Sequence, residues 1–68
     1  MIRAARHNKI KSLLEEDGVV SIASLAERCE SSAVTIRRDL ATLENEGELV
    51  RTYGGAIALV APDKMMSP

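Results

Sequence analysis

Thr35-Ile36-Arg37-Arg38-Asp39-Leu40 is the stretch on which the reading of this chain turns. Wound as a helix at about 100° per residue, it and its flanks place Ala33, Ile36, Leu40 and Leu43 on one face. Val34, Arg38, Ala41 and Thr42 fall on the opposite face, with Thr35 and Arg37 at its edges. One side is built to be buried. The other offers small side chains, a hydroxyl and two guanidiniums, a combination suited to a DNA groove. An Arg fork fits guanine O6 and N7 or clamps phosphate, and small neighbours let the backbone approach the base edges.

Working outward, the pattern predicts three helices. The first covers residues 3–16, with Ile10, Leu13 and Leu14 as its core stripe and Gly18 closing it. Residues 19–22 are short and β-branched, a first strand. Ser21 caps a second helix in which Ile22, Leu25, Ala26 and Cys29 recur at helical spacing. After a tight turn over residues 29–31, Ser32 is the natural N-cap of the third helix, which ends near Glu46 with Gly47 in left-handed backbone. The period then changes to about two: residues 49–52 and 56–60 read as strands joined by Tyr53-Gly54-Gly55 as a hairpin tip. Residues 61–68 contain both prolines and no periodicity, and read as a linker or frayed tail. The expected fold is mainly α with a small β-hairpin, a three-helix winged helix-turn-helix over residues 1–60.

Composition narrows the function. A chain of 68 residues supports one small domain with a thin core. Its single cysteine, Cys29, excludes an internal disulfide and a cysteine-based zinc site, in keeping with a reducing cytoplasm. No apolar run approaches a membrane span, and no signal-peptide core follows Met1. Tyr53 is the sole aromatic residue, so the stacking platform of single-strand and RNA binders is missing and duplex DNA is the expected nucleic acid. The formal net charge of −1 is unhelpful to DNA binding, but the charges are segregated. Residues 1–11 carry Arg3, Arg6, Lys9 and Lys11 with no acid, whereas Glu15, Glu16, Asp17, Glu27 and Glu30 face only Arg28 in the following stretch. One end of the surface is attractive to phosphate.

These residues resemble the N-terminal DNA-binding domain of the DeoR family of bacterial transcriptional regulators. The resemblance rests on Arg6, Ile10 and Leu14 at four-residue spacing, on Ser32 after a gap of seventeen residues, and on Thr35-Ile36-Arg37-Arg38-Asp39-Leu40. It continues through Leu43-Glu44, Gly47, Leu49, Arg51 and Gly54-Gly55-Ala56, and covers about residues 3–57. It implies a cytoplasmic repressor of a sugar or sugar-phosphate catabolic operon. It also implies a longer C-terminal domain that binds a phosphorylated effector and drives homo-oligomerisation. That domain is absent here, so the chain is expected to be an isolated, monomeric DNA-binding domain. Two departures, Glu30 and Ser31 (the latter in place of a buried aliphatic), predict a looser or reshaped turn between the second and third helices. Cys29-Glu30-Ser31-Ser32 occupies the place of the family's common Leu-Gly-Val-Ser, putting Glu30 where positive φ is expected, at a cost of about 1 kcal/mol.

The DNA-contact candidates are Thr35, Arg37 and Arg38 early in the third helix, Ser32 through its hydroxyl or amide, and Val34 against a thymine methyl. In the wing they are Arg51, Tyr53, Gly54 and Gly55, with Arg3 and Arg6 adding backbone contacts from the first helix. Asp39 would be repelled by phosphate. Its place at the edge of the buried stripe pairs it instead with Arg6, bracing the third helix. His7 has no metal-ligand partners at suitable spacing and reads as solvent-facing, and Cys29 as a small core residue. With no catalytic set and no phosphate-cradling loop, neither enzymatic activity nor a cofactor is expected. The alternative reading is a winged helix used for protein interaction; the Thr35, Arg37, Arg38 face disfavours it, because docking faces are richer in aromatic and aliphatic side chains.

Overall fold

The computed structural model describes residues 1–59. Its elements are α1 (Arg3–Asp17), β1 (Val19–Ser21), α2 (Ile22–Arg28), α3 (Ala33–Asn45), β2 (Leu49–Thr52) and β3 (Gly55–Ala58). This is a three-helix winged helix-turn-helix. Residue 60, expected to end the last strand, and the tail over 61–68 lie outside the described residues.

Helices α2 and α3 each begin at a serine cap, whereas α1 starts at Ile2 without a side-chain cap. The Ser21 hydroxyl accepts the amide of Ser24 at the start of α2, and the Ser32 hydroxyl accepts that of Thr35 at the start of α3, each satisfying an amide the helix leaves open. At the end of α3, Glu48 N–H donates to Leu43 C=O and Gly47 N–H to Glu44 C=O, with Gly47 at φ +78°, the paired closure of a Schellman turn. The turn between α2 and α3 repeats it: Ser31 N–H donates to Ala26 C=O and Glu30 N–H to Glu27 C=O. Here Glu30 holds the left-handed position, at φ +52°, the one non-glycine residue among those described with positive φ. The looser turn expected here is thus corrected: the closure is regular and keeps the left-handed position despite the unfavourable side chain.

The core is aliphatic. Ile10, Leu25, Ile36, Leu40, Leu43 and Leu49 are fully buried with Cys29 and Ala56, and each large side chain contributes about 1.5–3 kcal/mol through removal from water. Tyr53, the sole aromatic, is fully exposed at the wing tip.

The three strands form an antiparallel sheet in the order β1-β3-β2. Thr52 faces Gly55 across the hairpin, so the tip is the two-residue loop Tyr53-Gly54 and Gly55 belongs to β3. This corrects the expected three-residue tip and the strand start at Ala56. Gly54 takes φ +85° to make the reversal, whereas Gly55 has another task. A Cβ on Gly55 would stand 2.0 Å from the Val20 carbonyl oxygen of the neighbouring strand β1, whose Ser21 is its ladder partner. Ile22 N–H donating to Gly54 C=O and Ala58 N–H to Gly18 C=O extend this β1–β3 union at both ends. On the outer face Val19, Ile57 and Val50 stand opposite one another across all three strands and remain partly exposed. Such cross-strand pairs each add about 0.2–1 kcal/mol.

Two substitutions test this backbone description by chemical denaturation. Glu30→Gly is expected to stabilise the domain by about 0.5–1 kcal/mol, and a loss of stability would place Glu30 outside the left-handed region. Gly55→Ala is expected to destabilise by about 3 kcal/mol, since its methyl meets backbone that cannot rotate away; an unchanged denaturation midpoint would contradict the β1–β3 approach.

Candidate nucleic-acid interface

The first half of α1 has no large apolar residue on the side that meets α3. Arg6 and His7 occupy that side instead, half-buried, and both reach Asp39. Arg6 holds the carboxylate in a fork: Nε donates to Oδ2, and Nη2 to Oδ1 at 3.1 Å. Its remaining terminal nitrogen donates to the Met1 carbonyl at 2.9 Å, and His7 Nε2 lies 3.2 Å from Asp39 Oδ1. Asp39 is 2% exposed, so this is a nearly buried ion pair in the helix that carries the interface. Burial works to raise the Asp39 pKa, but hydrogen bonds from Arg6 and His7 outweigh it and hold the carboxyl below its ordinary range. The same hydrogen bond holds Arg6 more firmly protonated, against the opposing effect of its burial.

The expected Arg6–Asp39 brace is thus present, and it takes up the Arg6 guanidinium. His7 is corrected: it faces Asp39 rather than solvent. A signal for this was available, since His7, Ile10 and Leu14 recur at i, i+3 and i+7 along the core stripe of α1.

With Asp39 turned inward, the outer face of α3 presents Val34, Arg37 and Arg38, all exposed. Neither arginine is in an ion pair among the described residues. At the helix start, Ser32 Oγ accepts the Thr35 amide at 3.1 Å and donates its own proton to Thr35 Oγ1 at 3.0 Å. That leaves the Thr35 hydroxyl hydrogen free to donate outward. The amides of Ala33 and Val34, which precede the first helical hydrogen bond, open in the same direction.

The wing approaches from the side. Arg51 stands opposite Ala56, on the sheet face that packs toward α3, and meets Glu44 there. Glu44 Oε2 accepts the Arg51 amide at 2.9 Å and Oε1 accepts Arg51 Nε at 3.0 Å. These bonds, the amide's first, hold the Glu44 carboxyl below its usual range. Arg37, Glu44, Arg51, Thr52 and Tyr53 line one open groove between α3 and the wing. Gly54 is exposed at the tip, and Gly55 is buried beside β1. Arg3 is exposed on α1, apart from this groove. Glu44 escaped the sequence reading as a wing partner; its signal is Gly47, which turns the chain so that Arg51 returns beside the last turn of α3.

Comparison with known proteins agrees with this geometry. The profile of the DeoR-like helix-turn-helix domain matches residues 6–60. The chain belongs to that family. It is 43% identical over 53 residues to the L-fucose operon activator of Haemophilus influenzae, a match covering 78% of this chain and 21% of the relative. It is 41% identical over 56 residues to the lactose phosphotransferase system repressor of Lactococcus lactis, covering 82% of this chain and 22% of the relative. A putative galactitol utilization operon repressor of Escherichia coli is likewise 41% identical over 56 residues, with 82% and 50% covered. The chain spans about a fifth of the first two relatives. No solved structure matches it significantly. The family is one of DNA-binding transcriptional regulators rather than an enzyme class, and no helix among the described residues is long and apolar enough to cross a membrane.

The brace has a thermodynamic signature. Because the folded-state pKa of Asp39 is lowered, its contribution is present in full above the ordinary carboxylate value of about 3.9 and is lost as pH falls through the lower folded value. Asp39→Asn is expected to cost about 1.5–3 kcal/mol at neutral pH and to flatten the acid limb of the melting-temperature profile. Arg6→Ala should act likewise, with a less than additive double variant. Thermal melts from neutral pH into the acid range measure both, and an Asp39→Asn profile parallel to the wild type would remove the brace.

Proposed function

We propose that this domain reads a duplex operator by laying the outer face of α3 in the major groove, with the wing against the adjoining backbone. The observation that carries this reading is the allocation of charge on α3. Its two acids, Asp39 and Glu44, are bound to Arg6 and Arg51, whereas Arg37 and Arg38 face outward without a carboxylate partner among the described residues. The near-neutral total thus conceals an electropositive face.

Roles follow from position. Arg37 and Arg38 supply guanidinium forks for guanine or phosphate, Val34 an apolar contact for a thymine methyl, and Thr35 a hydroxyl donor. Ser32 and the opening amides of α3 meet phosphate at the helix start. Arg51, Tyr53 and Gly54 touch backbone or minor groove from the wing, Gly55 lets the wing close against β1, and Arg3 adds a phosphate contact. Arg6 serves through Asp39.

The names of the relatives support a place in regulating sugar or sugar-phosphate use, and the lactose and galactitol proteins are repressors by name. We assign repression to this chain, acting in the cytoplasm. Recognition of a sugar-phosphate effector and homo-oligomerisation belong, in this reading, to a region outside the domain, which alone is monomeric.

Arg38→Ala provides the test. Folding should change by less than about 0.5 kcal/mol, since the side chain is exposed. Affinity for a duplex selected by the domain from a random pool should fall by about 1–3 kcal/mol. Equal affinities at matched salt would remove Arg38 from the readout, and binding insensitive to salt would favour the protein-docking alternative.

A further inference from the structure

We infer that Glu44 is a positioning residue for DNA binding, which sets the wing against α3 by holding Arg51 and so directs the outer edge of the Arg51 guanidinium toward a DNA phosphate. The inference rests on the proposed placement of the wing on DNA. Arg51 is the one basic residue of β2 and β3. Its side chain is long, half exposed and, left alone, free to sample many rotamers. Glu44 removes that freedom at two points. One carboxylate oxygen takes the backbone amide, fixing the strand, and the other takes Nε, fixing the side chain. Neither terminal nitrogen of the guanidinium is engaged among the described residues, so both are open to an acceptor outside the protein, in the groove that Arg51 shares with Arg37. A carboxylate thus lies beside a DNA-facing groove with both oxygens engaged, so it orders a cation more than it repels phosphate. The hydrogen bonds from Arg51 also hold the Glu44 carboxyl below its ordinary range, so the clamp stays charged further into acid.

The sign of one substitution separates this role from plain electrostatics. Removing an acid from a DNA-binding surface ordinarily tightens binding. With Glu44 as the clamp, Glu44→Ala should instead weaken binding of the 68-residue chain to short random-sequence duplex DNA. The loss should be roughly 3- to 10-fold, as for Arg51→Ala, with the slope of log affinity against log salt falling by about 0.9 in both. The double variant should match Arg51→Ala alone. Glu44→Gln, which loses the same charge but keeps one carbonyl oxygen for Arg51, should bind more tightly than Glu44→Ala. Melting curves establish that each variant is folded. Unchanged or tighter binding by Glu44→Ala, beside weakened binding by Arg51→Ala, would overturn the positioning role and leave the wing contact standing. So would equal affinities of the Gln and Ala variants. If Arg51→Ala itself left affinity and salt slope unchanged, the wing contact would fail and the role of Glu44 with it.

Discussion

The fork between Arg6 and Asp39 is the constraint on which the candidate interface depends. It joins residues 33 positions apart in the chain, and it does so where α1 has no hydrophobic grip on α3. Apolar packing near Ile10, Leu13 and Leu14 secures the far half of α1 but leaves the angle of the near half open. A bidentate ion pair is directional where aliphatic contact is not, so it fixes rotation of α3 about its own axis as well as distance. That rotation decides which side chains face outward. A carboxylate in the middle of a helix suited to nucleic acid thus serves binding by being withdrawn from it.

Much of this was legible in the chain, because it follows from local periodicity. The two faces of α3, the caps at Ser21 and Ser32, and the closure at Gly47 all depend on residues within a few positions of each other. Asp39 was readable as a structural acid because it sits at the edge of a buried stripe. Glu30 was readable as strained because the family that the sequence resembles commonly has glycine at that place. What escaped was non-local. Gly55 looks like turn chemistry beside Gly54, and only the close pairing of β1 alongside it reveals a steric requirement. His7 looked like a surface residue because a polar side chain at a core position is meaningful only once its partner is known. Glu44 and Arg51 lie on either side of a chain reversal, where no single period connects them.

The relatives set a limit on what the domain itself determines. Closely similar segments occur in a protein named an activator and in one named a repressor. The geometry that recognises DNA is therefore compatible with either outcome.

The interleaving of inward and outward positions on α3 bears on how such a domain diversifies. Ile36, Asp39, Leu40 and Leu43 hold the helix, while Val34, Arg37 and Arg38 are exposed between them. Exposed helical positions usually change stability by no more than about 0.5 kcal/mol when substituted. Under the proposed readout, new addresses are thus reachable by single mutations that leave the scaffold intact, and a gene duplicate can drift to a different operator without first losing its fold.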